Sequence, residues 1–106
     1  MSTLSIVGFL GLSAALLGIA IFGILTRRNF ILILIAIEVG MNAAILNFVY
    51  FAAFAPANAP TLSGQAIAVV LVGFAATEVA VGLAIVLALN RLKGSINVAE
   101  ATELKL

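Results

Sequence analysis

The chain reads as three long apolar runs separated by two short polar breaks. Apolar residues continue without alternation over about 4–25, 30–54 and 62–89. An α-helix rises 1.5 Å per residue, so roughly 20 residues cross a ~30 Å hydrocarbon layer, and each run is long enough. A membrane strand would alternate apolar and polar positions, and these runs do not. The pattern predicts an all-α membrane protein with three transmembrane helices, residues 1–106 forming one membrane domain.

The breaks carry turn chemistry. Thr26-Arg27-Arg28-Asn29 is a tight polar turn whose last residue suits the N-cap of the second helix. Pro56-Ala57-Asn58-Ala59-Pro60 is a second turn, where two prolines oppose helix continuation and Thr61 or Ser63 can cap the third helix. The segment 92–106 is polar, with Asn97 and Glu100 at capping-box spacing. A frayed end is expected there rather than a docked helix, because chain termini are loosely held.

Small residues recur at helical spacing: Gly8, Gly11, Ala15 and Gly18 in the first run, Ala36, Gly40 and Ala44 in the second. Small side chains let spanning helices approach closely where lipid offers no hydrophobic drive. The second stripe lies opposite Glu38 on a 100° wheel, and Asn47 falls on it. Ala68, Ala75 and Gly82 repeat every seven residues in the third run, with Glu78 inside the seam they mark. Three helices supply too few partners for so many stripes, so the chain is expected to be one piece of a larger assembly. The seven phenylalanines and Tyr50 are expected to face lipid or partner helices.

Charge then orients the helices. Arg27 and Arg28 follow the first run, and Arg91, Lys93 and Lys105 follow the third. The N-terminus and the proline turn carry no Lys or Arg. Cytoplasmic loops are enriched in these residues, so the N-terminus is expected outside and the C-terminus, with tail 92–106, in the cytoplasm. The first run has no basic residue before it and no small-x-small cleavage site, so it is expected to stay as a spanning helix.

Composition narrows the chemistry. With 65% hydrophobic and 8% charged residues in 106, and a mean hydropathy of +1.36, a soluble globule could not hide the apolar surface. A net charge of +1 gives no basic patch for nucleic acid. Cys and His are absent, which removes the usual ligands of haem, iron–sulfur clusters and zinc. The residues also form no phosphate-binding loop or nucleophile pair. No catalytic redox group, cofactor site or metal site is expected on this chain.

What remains is two acids inside hydrocarbon-length helices, Glu38 and Glu78. An intramembrane carboxylate is costly and marks an ion or proton pathway by default. Glu38 lies ten residues past Arg28, about 15 Å along its helix, and Glu78 thirteen before Arg91, about 20 Å. Antiparallel helices then put both near the bilayer middle, about one turn apart, a gap that one or two waters could bridge. No cation lies within the runs, and low dielectric disfavours a bare carboxylate. Each acid therefore takes up a proton or meets a cation from a neighbouring subunit, and either arrangement fits a proton relay. Helix-to-helix gluing by protonated acids is the structural alternative. Asn42, at i+4 from Glu38, can orient the carboxyl, hold a water or merely bridge helices. Arg27 and Arg28 serve as topology anchors, with a role at the cytoplasmic mouth of a proton path as the alternative.

TRRNFILILIAIEVGMNAAILNFV resembles the second helix of the K subunit of NADH:quinone oxidoreductase, respiratory complex I, and GFAATEVAVGLAIVLALNR resembles its third. The resemblance spans about Leu12 to Arg91. It implies a three-helix subunit of the membrane arm, set between the quinone-reducing end and the antiporter-like subunits. It implies that Glu38 and Glu78 belong to a polar axis coupling redox energy to proton movement, and that Arg27 and Arg28 form the basic pair of the cytoplasmic loop. Quinone, flavin and iron–sulfur centres would then sit on other subunits. The expected location is an energy-transducing membrane, the inner membrane of a prokaryotic cell. Ile45 stands where the family commonly has a second Asn, and Val39-Gly40 where it has Leu-Met. The electron donor stays open among NADH, ferredoxin and reduced deazaflavin.

Other classes remain. A rotor proteolipid needs a hairpin with one acid per site, a small proton-coupled exporter four helices with its acid in the first, and a purely structural subunit neither acid.

Overall fold

The helices begin where the polar breaks end. A computed structural model describes residues 2–54, 61–94 and 96–101, with side chains for all of these except 61–63, 100 and 101. The proline turn, the capping side chains of Thr61 and Ser63, and the Glu100 half of the capping pattern lie outside the described residues. Helix α1 spans Thr3–Thr26, α2 Phe30–Ala53, α3 Thr61–Lys93 and the short α4 Val98–Ala101. Ser2 caps α1, its hydroxyl accepting from the Ser5 N–H at 3.3 Å. Asn29 caps α2, its side-chain oxygen accepting from the Ile31 N–H at 2.9 Å. Both supply acceptors to first-turn donors that have no partner inside the helix.

Three of the helices are long and apolar enough to cross a membrane. Helix α3, at 33 residues, is about 50 Å long and outreaches a ~30 Å hydrocarbon layer. Its last turn carries Arg91 and Lys93. Cations there complement the negative end of the helix dipole and can reach the water interface on long stems. Gly94, at φ +67°, ends the helix in the left-handed region, while its N–H still donates to the Asn90 carbonyl at 2.7 Å.

Helix α2 is the middle of a single layer. It packs on α1 along one face and α3 along the other, and α1 and α3 share at most a marginal contact. The molecule is correspondingly thin, 56 × 24 × 17 Å. Its accessible surface is 7265 Å², whereas a compact globule of this mass would expose about 5,600 Å². The excess is apolar, including the exposed Leu4, Phe22, Val69 and Phe74.

Small residues make both seams. A methyl group added at Gly23 would fall 2.8 Å from Ala36 Cβ, and one at Gly40 would fall 3.1 Å from Ala20 Cβ. On the other seam, one at Gly64 would come within 2.6 Å of Ala52 Cβ. Ala68 and Ala75 pack with Ile45, backed by Met41 and Leu71. On α2 the buried small positions are Ala36, Ala43 and Ala52, while Ala44 turns outward. The α1 stripe is not used inside the chain, since methyls at Gly8, Gly11 or Gly18 would meet nothing within 4 Å. Of the two expected surroundings, lipid or a partner helix, Tyr50 takes the helix. It is 2% exposed, stacks on Phe9 at 4.1 Å and donates from its hydroxyl to Ser5 Oγ at 3.1 Å.

The segment after α3 is docked, where a frayed end was expected. The Phe30 N–H donates to the Ile96 carbonyl at 3.0 Å, and the Val98 N–H to the Arg28 carbonyl at 2.8 Å. Asn29 and Asn97 thus face each other in an antiparallel bridge, and Asn97 caps α4 through the Ala99 N–H at 2.9 Å. One main-chain donor, the Phe30 N–H, and one acceptor, the Arg28 carbonyl, gain partners at the α1–α2 turn this way.

Candidate functional site

The two glutamates lie on the α2–α3 pair. Leu34 packs over Gly82, and Ala52 over Gly64. Leu34 precedes Glu38 by four residues and Gly82 follows Glu78 by four; Ala52 and Gly64 stand fourteen away on the other side. In this antiparallel register the backbone positions of Glu38 and Glu78 are level, so the expected offset of one turn is absent. Counting inward from each loop misjudged it, because α3 continues past Arg91 and the small-residue contacts, not the loops, fix the register.

Their side chains leave the seam on opposite flanks. Glu38 is half-buried in a hollow of about 250 Å³ walled by Leu34, Ile35, Val79 and Leu83 among others. Glu78 is exposed, in a separate groove of about 470 Å³ with Leu34, Phe74, Thr77, Val81, Gly82 and Ile85. The expected gap bridged by one or two waters is therefore interrupted by side chains of the seam, with Leu34 forming a wall of both hollows. Both surroundings are apolar. The one other polar side chain of the Glu78 groove, Thr77, donates its hydroxyl to the Gly73 carbonyl of its own helix at 2.9 Å.

The other predicted residues stand apart. Asn42 is exposed one turn beyond Glu38, and among the described residues it makes no hydrogen bond to that carboxyl. Arg27 and Arg28 are exposed in the α1–α2 turn. There the Arg27 N–H donates to the Gly23 carbonyl at 3.1 Å and the Arg28 carbonyl accepts from the docked tail. With Arg91 and Lys93 at the end of α3, all described cations lie at helix ends. No cluster of three or more acidic, His or Cys side chains able to hold a metal occurs among the described residues.

A polar chain on the α1–α2 seam escaped the sequence. The Ser13 hydroxyl donates to the Ala43 carbonyl at 2.9 Å and accepts from Asn47 Nδ2 at 2.9 Å. Asn47 Oδ1 is buried and has no hydrogen-bond partner among the described residues. Asn47's place on the small-residue stripe was the one available signal. Ser13, a small residue in an apolar helix, gives none until its neighbour is known.

Comparison with known proteins bears on the whole chain. Residues 8–106 match the sequence model of the family described as NADH-ubiquinone/plastoquinone oxidoreductase chain 4L. The chain belongs to this family. Among its chain 4L relatives, the NADH-quinone oxidoreductase subunit K of Anaeromyxobacter sp. strain K is 44% identical over 92 residues, covering 87% of this chain and 89% of its own. Subunit K of Bacillus anthracis strain CDC 684 is 41% identical over 105 residues, 99% of each chain. That of Brevibacillus brevis strain 47 is 39% identical over 103 residues, 97% of this chain and 98% of its own. This member of the family has three helices long and apolar enough to cross a membrane, with two acids level on α2 and α3.

Proposed function

We propose that this chain is a membrane-arm subunit of a proton-translocating NADH-quinone oxidoreductase, in which Glu38 and Glu78 carry protons along the axis that couples redox energy to pumping. The observation that carries the reading is two acids at one level of an antiparallel helix pair, each in an apolar recess. A carboxyl in such a recess binds or releases its proton as an acceptor or a cation approaches, which is what a relay site requires. The donor and acceptor classes, NADH and quinone, come from the relatives' names.

The chain holds protons and leaves electrons to its partners. Flavin, iron–sulfur centres and quinone would be carried by other subunits, among them the small subunits beside the quinone site. The groove of Glu78 opens outward. A neighbouring membrane-arm subunit, of the antiporter-like kind on one side, supplies the water or polar groups that a carboxyl cannot find in lipid. The basic ends of α1 and α3 face the cytoplasm of a prokaryotic inner membrane, with the N-terminus outside. Arg27 and Arg28 anchor that face, and Asn42 holds water beside Glu38.

Glu38→Gln and Glu78→Gln keep shape and hydrogen bonding but cannot exchange a proton. In inverted membrane vesicles, each variant complex should assemble and still reduce an artificial acceptor, while quinone-linked proton uptake falls about tenfold or more. Normal pumping by both variants would leave a purely structural subunit.

A further inference from the structure

The side chain shared by the two hollows lies on the seam, in contact with a glycine. Leu34 walls both the Glu38 hollow and the Glu78 groove. It is half-buried, and a methyl group at Gly82 would fall 2.7 Å from its Cδ1 and 3.1 Å from its Cδ2. The missing Cβ at residue 82 is what lets the leucine lie across the seam. Further along α2, Met41 packs against the Ile45–Ala68–Ala75 cluster and closes the seam there. The hollows that hold the two acids are thus divided by this leucine, with space on either side into which its end can swing.

We infer that Leu34, seated on Gly82, is a gate: its rotamer decides whether water can join the Glu38 carboxyl to the Glu78 carboxyl. The inference rests on the relay proposed above and adds the step that controls it. With the leucine across the seam, no hydrogen-bonded path crosses, and each acid exchanges protons only with its own hollow. When the side chain turns into one of the hollows, water fills the gap. The protonated acid then gives its proton to that water as the water passes another to the second carboxylate, so one acid ionises as the other is neutralised. A leucine suits this task because its apolar end excludes water in one rotamer and costs little to turn. A gate on a relay matters because a permanently wetted path would let protons return without work.

The test is made on the assembled complex in inverted vesicles, reading quinone reduction and proton uptake in the same preparation. Leu34→Ala should keep quinone reduction within about twofold and lower protons moved per electron at least twofold, since nothing then bars return. Leu34→Phe, which lengthens the barrier, should slow proton uptake about tenfold. Leu34→Met, which conserves volume and flexibility, should stay near the unaltered protein. Gly82→Ala displaces Leu34 without removing it, and should change the proton-to-electron ratio alone yet add nothing in the Leu34→Ala background. Unchanged ratios in Leu34→Ala and Gly82→Ala and undiminished uptake in Leu34→Phe, with Glu38→Gln and Glu78→Gln stopping uptake, overturn the gate and leave the relay. Normal uptake in the two glutamine variants overturns both. Should the Leu34 variants fail to assemble, Gly82→Ala decides alone, and an unchanged ratio counts against the gate.

Discussion

Ser13 shows what one hydroxyl does between two helices in lipid. It takes a hydrogen from Asn47 and gives one to the Ala43 carbonyl, so its removal strands an amide in apolar surroundings. Ser13→Ala should destabilise the subunit by about 0.6–1.7 kcal/mol, the range of interhelical hydrogen bonds in membranes. Ser13→Ala with Asn47→Leu should recover part of this, because replacing both partners leaves no orphaned donor. Thermal dissociation of the detergent-solubilised complex, followed by the loss of this chain, measures both. Glu38 and Glu78 stood out in the sequence as the two acids inside apolar runs, and their relay role is the reading proposed above. Ser13 did not stand out, since a serine acquires meaning only from what faces it. The split of the two carboxyls between separate hollows was equally hidden, because it depends on a register that no single helix encodes.

At the scale of helices, the glycine stripes divide by what they touch. Gly40 meets Ala20 across the α1–α2 seam, whereas Gly11 meets nothing in this chain. Gly40→Val should force α1 and α2 apart and reduce the accumulated subunit. Gly11→Val should leave the chain intact but reduce its incorporation into the complex, as read by native electrophoresis. If Gly11→Val assembles normally, no partner helix lies against that stripe. The helices themselves were plain in the sequence, since crossing hydrocarbon demands unbroken apolarity and satisfied backbone groups. The direction in which α1 turns its glycines was not, because a stripe marks a close contact without saying whose. The docking of 96–98 on the α1–α2 turn was invisible for another reason: main-chain hydrogen bonds leave no trace in side-chain pattern. Truncation after Gly94 should speed hydrogen exchange at the Phe30 amide, which now donates to Ile96.

For the whole molecule, orientation can be read directly because the chain contains no native cysteine. In intact cells a membrane-impermeant thiol reagent should label Ser2→Cys, and should reach Asn29→Cys or Gly94→Cys only after the membrane is opened. The reverse pattern would invert the proposed topology. Thinness has a further consequence. Because α2 alone is flanked on both sides, a layer 17 Å thick leaves α1 and α3 shaped largely by surfaces that other genes encode. Second-site revertants of a defect such as Gly11→Val should then map outside this gene, in the reading frame of whichever subunit presses on that helix. A genetic screen would thereby name the neighbour.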